Sequence, residues 1–187
     1  MCETRHDPQI EMNLRNEAKH FGKYQGCPME VLFGHPAPME QGWSSGIAMI
    51  AGGPAAKRVR RVKPPAGIWA EEFEEIGRLA LFCVTVQGER RHKNDRGETN
   101  LYLFICYGEV QNPEEANRLL RVIQTWLERL NPRLALVCGD FNLEVEESPT
   151  LVDWQQGRLM HDVFWQFAKA VLQEPPGTSK KGQQETD

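Results

Sequence analysis

The stretch Leu134-Ala135-Leu136-Val137-Cys138-Gly139-Asp140-Phe141-Asn142 carries the strongest structural signal in the sequence. Its first five residues are apolar, which predicts a buried β-strand that runs directly into a carboxylate and a carboxamide. Loops that follow strand ends are where functional sites collect in α/β sheets. Asp140 and Asn142 are therefore candidate site residues, and the alternative is a purely structural Asx turn, which both residue types favour.

The segments before this strand supply a helix and a β-hairpin. Asn112 caps the predicted helix, Pro113 takes its first position, and Asn131-Pro132 ends it. Upstream of the helix, two apolar runs at 79–86 and 101–107 flank a polar loop. This pattern predicts two antiparallel strands, the first of them covered on both faces.

The N-terminal part of the chain predicts one more helix and two short strands. Asp7-Pro8 is a helix start, and Gly22 is the predicted helix stop. Short apolar runs at 31–33 and 47–51 predict strands. The order of helix, strands, helix and strand indicates an α/β fold with mixed strand pairing.

Composition bounds the class of protein. The chain has 187 residues, which corresponds to one domain or part of one. Its 22 Lys and Arg against 26 Asp and Glu give a net charge of −4, so any contact with nucleic acid has to come from a local patch. The apolar runs are too short for a membrane helix, and the polar N-terminus does not read as a signal peptide. We therefore expect a cytoplasmic or nuclear protein that is not secreted and has no membrane partner.

The five cysteines favour buried reduced thiols over a zinc or redox site. Their number is odd, no pair has C-x-x-C spacing, and three lie inside apolar runs. The three are Cys83, Cys106 and Cys138.

A basic run at 57–63 places five cations in seven residues. Three interpretations stay open: a solvated loop, a contact with a nucleic-acid backbone, or a nuclear-localisation patch. Under the second interpretation the candidate substrate-binding residues are Lys57, Arg58, Arg60 and Arg61.

Five stretches, in this order along the chain, resemble the endonuclease/exonuclease/phosphatase superfamily. They are Cys2-Glu3-Thr4-Arg5, Gly42-Trp43-Ser44-Ser45-Gly46-Ile47-Ala48-Met49-Ile50, Gly77-Arg78-Leu79-Ala80, Phe104-Ile105-Cys106-Tyr107-Gly108 and Gly139-Asp140-Phe141-Asn142. The resemblance implies a four-layer α/β sandwich with two mixed β-sheets, as in the DNase-I-like fold.

The resemblance also implies roles for four residues. Glu3 would be a ligand of Mg²⁺ or Mn²⁺, ions that prefer oxygen donors, and its alternative is an exposed acid near the chain end. Tyr107 would hydrogen-bond the scissile phosphate, and its alternative is an aromatic residue at a strand end. Asp140 would activate the attacking water, while Asn142 would fix Asp140 and contact the phosphate.

The chain departs from the superfamily pattern at both ends. An Asn-containing first strand, a late Asp and an Asp-His pair have no counterpart, so we expect an incomplete domain at 1–173 and a polar, flexible tail at 174–187. The expected function is a divalent-metal-dependent phosphoesterase, preferably a retrotransposon-type or apurinic-type endonuclease acting on DNA or RNA. The alternatives are a catalytically incompetent remnant or binding module of the same fold, and a phosphatase of a small phosphorylated molecule.

Overall fold

The structure, a computed structural model, describes residues 8–34, 38–39, 42–43, 46–67, 70–75, 77–87, 97–157 and 160. The chain divides into two compact units, 1–144 and 145–187, and each is described by itself. The predicted tail at 174–187 lies outside the described residues, so the predicted domain boundary stays a prediction.

The first unit contains three helices and eight strands among its described residues. In chain order they are α1 (Pro8–Tyr24), β1 (Met29–Phe33), β2 (Pro38–Met39), β3 (Gly42–Trp43), β4 (Ala48–Gly52), β5 (Val59–Val62), α2 (Ala70–Glu75), β6 (Leu79–Gln87), β7 (Glu98–Tyr107), α3 (Pro113–Leu130) and β8 (Leu134–Asp140). A 3-10 helix, Gly53–Lys57, links β4 to β5.

A four-stranded mixed sheet in the order β5-β6-β7-β8 forms the centre of this unit. β5, β6 and β7 are antiparallel neighbours, and β6 with β7 is the predicted hairpin. β8 joins β7 in parallel, because α3 carries the chain back to the start of the sheet. β1 pairs with β4 and β2 with β3 in two small antiparallel sheets.

One face of the central sheet packs against the β1–β4 pair. Ile47, immediately before β4, is buried against Ala80, Phe82 and Ile105 of the central sheet. These side chains lie at alternate positions of β6 and β7, as the two-residue period of a strand requires. The contact forms the core between the two sheets.

Helices cover both outer surfaces. α1 packs on the β1–β4 pair through a buried cluster of Ala18, Val31 and Phe33. On the other side, Trp126 of α3 meets Phe104 edge to face, with ring centroids 5.5 Å apart. The layers therefore run helix, sheet, sheet, helix, which confirms the predicted four-layer α/β class. The four-stranded sheet is mixed, whereas the β1–β4 pair is antiparallel.

Local capping explains where α3 begins and ends. The Asn112 side chain accepts a hydrogen bond from the Glu115 N–H at 3.2 Å, and Pro113 follows at the first position. At the other end Asn131 adopts a left-handed conformation with φ of 41°, and its N–H donates to the Leu127 carbonyl at 2.8 Å. Both ends of the helix agree with the prediction.

The predicted stop of α1 at Gly22 is wrong, because the helix continues to Tyr24. Gly22 is buried, and a Cβ atom there would lie 2.6 Å from the Cys27 carbonyl oxygen. The Cys27 N–H donates to the Gly22 carbonyl at 2.9 Å. This glycine therefore allows a close return of the chain rather than a left-handed helix end.

The second unit holds a short 3-10 helix, Val145–Glu147, and α4 (Pro149–Gln156) among its described residues. Ser148 caps α4 by accepting the Leu151 N–H at 3.2 Å. Across the described parts of both units, none of the helices has the length and apolar character needed to cross a membrane.

Candidate functional site

Arg78, Tyr107 and Asp140 form a row across the ends of three neighbouring strands. The Tyr107 N–H donates to the Arg78 carbonyl at 2.9 Å, and Tyr107 is the register partner of Asp140. Residues paired across strands project from the same face of a sheet. Strands lie about 4.8 Å apart, so the Cα atoms of Arg78 and Asp140 are roughly 10 Å apart, with Tyr107 between them.

Gly108 connects the three strand ends through its backbone. Its N–H donates to the Asp140 carbonyl at 2.7 Å. Its carbonyl accepts bonds from Arg78 Nη1 at 3.2 Å and from Asn142 Nδ2 at 2.9 Å. A Cβ atom on Gly108 would overlap the Phe141 carbonyl, so only glycine permits this approach.

Asp140 and Asn142 form the turn after β8. Asn142 has a φ of 50°, in the left-handed region, and its backbone N–H donates to Asp140 Oδ1 at 3.1 Å. The arrangement is thus an Asx-type turn that also holds an exposed carboxylate at the end of the row. The backbone of Asn142 holds Asp140, while its side chain binds Gly108.

Arg78 is held from three sides. Its guanidinium lies 4.7 Å from the centroid of the Tyr107 ring, bonds the Gly108 carbonyl, and forms an ion pair with Glu109 Oε2 at 2.8 Å. Sequence reasoning gave no site role to Arg78 or Glu109. Arg78 and Glu109 lie 31 residues apart in the chain, so no short motif contains both. The Gly77-Arg78 pair at the start of β6 was the one local pattern that included either residue.

The cysteines beside the site are not suited to act as nucleophiles. Burial is the main cause that raises the pKa of Cys106 far above its ordinary value, with Cys138 and Asp140 adding to the effect. Burial also raises the pKa of Cys138 and of Cys83. The four cysteines among the described residues are free thiols, and these three stay protonated.

The basic run lies away from the row. It forms the end of the 3-10 helix and the edge strand β5 rather than the loop that one interpretation expected, while Lys57, Arg60 and Lys63 are exposed to solvent. Arg61 pairs with buried Glu74 at 3.3 Å, whereas Arg60 is exposed. Arg60 pairs with Cys83 of β6, which in turn pairs with Tyr102 of β7. Strand geometry therefore places the Cα atoms of Arg60 and Tyr107 roughly 20 Å apart.

The described residues do not form a metal site by themselves. In the described part of the chain, no group of three or more His, Cys, Asp or Glu residues is placed to hold an ion. The Glu109 carboxylate is engaged by Arg78, and Asp140 Oδ1 by the Asn142 N–H. The predicted metal ligand Glu3 lies outside the described residues, so its role as a ligand stays a prediction.

Comparisons with known proteins give limited similarity. No known family and no curated protein matches the sequence. Among solved structures, the human Nocturnin catalytic domain with bound sulfate anion is similar over 84% of this chain, with 11% identity and a TM-score of 0.48. An endonuclease/exonuclease/phosphatase family protein from Bacteroides thetaiotaomicron is similar over 76%, with 11% identity and a TM-score of 0.40. This chain spans 58% and 51% of those two chains, respectively.

Proposed function

We propose that the row Arg78–Tyr107–Asp140 is the active site of a phosphoesterase that hydrolyses nucleic acid. One observation carries the proposal: a cation, a phenol and an exposed carboxylate stand at one level on adjacent strand ends. The Gly-Asp-Phe-Asn motif and the superfamily resemblance point to the same chemistry. An enzyme of this kind is expected to act in the cytoplasm or the nucleus.

Asp140 and Tyr107 of the row, and Asn142 beside it, have tasks in the proposed reaction. The Asp140 carboxylate accepts a proton from a water molecule, whose oxygen bonds to phosphorus as the ester P–O bond breaks. The Tyr107 hydroxyl donates to a phosphoryl oxygen, and the leaving oxygen takes a proton from solvent. Asn142 keeps Asp140 in position through its backbone N–H.

A divalent cation is a separate part of the proposal. Glu3 would bind Mg²⁺ or Mn²⁺, and the ion would neutralise charge on phosphoryl oxygens. The expected result is loss of hydrolysis in EDTA and recovery on adding Mg²⁺, with weaker recovery in Glu3→Gln. Direct Mg²⁺ titration of the two proteins by calorimetry separates an ion effect from a folding effect.

The basic run favours a long substrate. Because Arg60 is roughly 20 Å from Tyr107, a ligand that contacts both residues has to be extended and negatively charged. This favours DNA or RNA, including abasic or retroelement-type sites, over a small phosphate ester. Lys57, Arg58 and Arg60 would then bind the backbone remote from the cleaved bond, whereas Arg61 is engaged by buried Glu74.

A nucleic-acid-binding module without turnover is the second candidate. Among the described residues, the row contains no histidine that could protonate the leaving oxygen. The same fold and the same basic run would support binding without hydrolysis.

The decisive variant is Asp140→Asn, which keeps an oxygen for the Asn142 N–H but removes the base. With Mg²⁺ and abasic, nicked or intact DNA, or RNA, we expect a loss of cleavage on the order of 10²–10⁴-fold. Asp153→Asn, an exposed acid of α4, is the matched control and should cleave normally.

Cleavage that persists in Asp140→Asn would refute the assigned site. An inactive wild type that still binds DNA in a salt-sensitive manner would support the binding module. Cleavage of small phosphate esters alone would support the phosphatase.

A further inference from the structure

We propose that Glu109 occupies a phosphate-binding position on Arg78 and is displaced when a phosphorylated ligand binds. The inference rests on the proposed function for the class of ligand. It assigns a subsite and a competing residue to a site whose chemistry is otherwise attributed to Asp140 and Tyr107.

Arg78 is oriented for an anion before any ligand arrives. The guanidinium carbon lies 4.7 Å from the centroid of the Tyr107 ring, and Nη1 is anchored on the Gly108 carbonyl. Arginine presents its remaining N–H groups in a planar fork that matches two oxygens of a phosphate. Nη2 at present donates to the Glu109 carboxylate at 2.8 Å.

Of the groups that contact Arg78, Glu109 is the one that a ligand can replace. Its side chain is 42% exposed, against 20% for Arg78, and it lies beyond the last residue of β7. The pair is part-buried on the Arg78 side, but the Glu109 carboxylate already reaches water and stays solvated when it leaves. A phosphate brings more charge and two well-placed oxygens to the same fork.

The position suits the proposed chemistry. A phosphate on Arg78 Nη2 would lie beside Tyr107, whose backbone is one strand spacing, roughly 5 Å, from that of Asp140. Arg118 provides a comparison elsewhere, because it pairs with Glu72 and Glu115 on the helices and not at the strand ends. The two arginines share the same kind of partner but differ in their position relative to Asp140.

The test measures binding without turnover. Inorganic phosphate and a 5′-phosphorylated dinucleotide are titrated by calorimetry and NMR in EDTA. Glu109→Gln should bind both about three- to tenfold more tightly than wild type, because the competing charge is gone. Glu72→Gln, the matched control at Arg118, should bind as wild type does.

Arg78→Gln should lose at least tenfold in affinity, and Arg78→Lys should fall between it and wild type because the charge stays but the fork is lost. Far-UV circular dichroism checks that each variant is folded. If Arg78→Gln does not fold, Glu109→Gln still decides the matter.

Equal affinity of Glu109→Gln and wild type would overturn the inference, as would an equal gain in Glu72→Gln. The two proposals fail separately. Tighter phosphate binding by Glu109→Gln with no cleavage by wild type refutes the hydrolase alone, whereas normal cleavage with unchanged binding refutes the displaced glutamate alone.

Discussion

At the residue scale, two glycines determine how closely the site-bearing strands approach. A Cβ atom on Gly139 would overlap the carbonyl oxygen of Cys106 on β7, and one on Gly108 would overlap that of Phe141. Both glycines flank the row directly. Glycine is therefore required at the first position of the Gly-Asp-Phe-Asn motif for a steric reason that is independent of catalysis.

We expect Gly139→Ala to lower the free energy of unfolding by about 1–3 kcal/mol, because the rigid backbone of β7 has to move aside. The measurement is urea unfolding followed by circular dichroism. Gly52→Ala is the control: its φ is −118°, and an added Cβ would be no closer than 4.0 Å to another atom. Equal effects of the two substitutions would show that the β7–β8 contact is not tight.

At the element scale, α3 is the connection that places Asp140 beside Tyr107. The helix has a strong apolar stripe that is buried on the sheet, with Leu120, Ile123 and Trp126 fully or almost fully inaccessible. It also contacts α2, where the Arg118 guanidinium lies 5.1 Å from the Phe73 ring centroid. Stabilising α3 therefore stabilises the parallel strand pair that builds the site.

Asn112→Ala should destabilise the protein by about 1 kcal/mol, because the Glu115 N–H loses its acceptor. Thermal and urea unfolding both report this change. Asn131→Gly at the opposite end is the matched control and should be neutral or slightly stabilising, since glycine adopts the left-handed conformation readily. If Asn112→Ala leaves the free energy of unfolding unchanged, water replaces the Asn112 side chain as the acceptor for the Glu115 N–H.

At the scale of the whole molecule, charge and distance together define the ligand. The chain carries a net charge of −4, yet the basic run concentrates cations on and beside the edge strand β5. Short ligands at the row would not feel the run, because charges roughly 20 Å apart are screened at physiological salt. Only ligands that extend across the sheet gain from it.

The double variant Lys57→Gln/Arg60→Gln should weaken binding of a 20-nucleotide DNA and leave binding of a phosphorylated dinucleotide unchanged. The slope of log affinity against log salt should decrease by about 1.4–1.8 for the long DNA, since two phosphate contacts are lost. The control, Lys19→Gln/Lys23→Gln, removes two exposed lysines of α1. Equal losses in both double variants would indicate a general charge effect rather than a binding surface.

Local patterns predicted much of the fold. The capped helix after Asn112, the hairpin of β6 and β7, and the strand that ends at Asp140 are all present, although that strand is not buried as predicted: Leu134 and Leu136 are exposed. The basic run was open to a loop interpretation because only pairing with β6 makes it a strand. Glu109 was missed for a similar reason, since its role depends on an ion pair with a residue 31 positions earlier.

The site also depended on tertiary register. The Gly-Asp-Phe-Asn stretch suggested Asp140 and the superfamily resemblance suggested Tyr107, and the structure makes the two residues neighbours through the parallel pairing of β7 with β8. Their proposed roles, and that of Glu3, stay predictions.

The parallel pairing of β7 with β8 has a consequence for the order in which the site is assembled during protein synthesis. During synthesis β7 is complete before the chain of α3 and β8 has been made, and parallel strands need such a crossover connection between them. Tyr107 and Asp140 therefore come together only after all of α3 and β8 has been synthesised. A nascent chain that ends before β8 contains Arg78 and Tyr107 but not Asp140, so the row cannot form until β8 has been added.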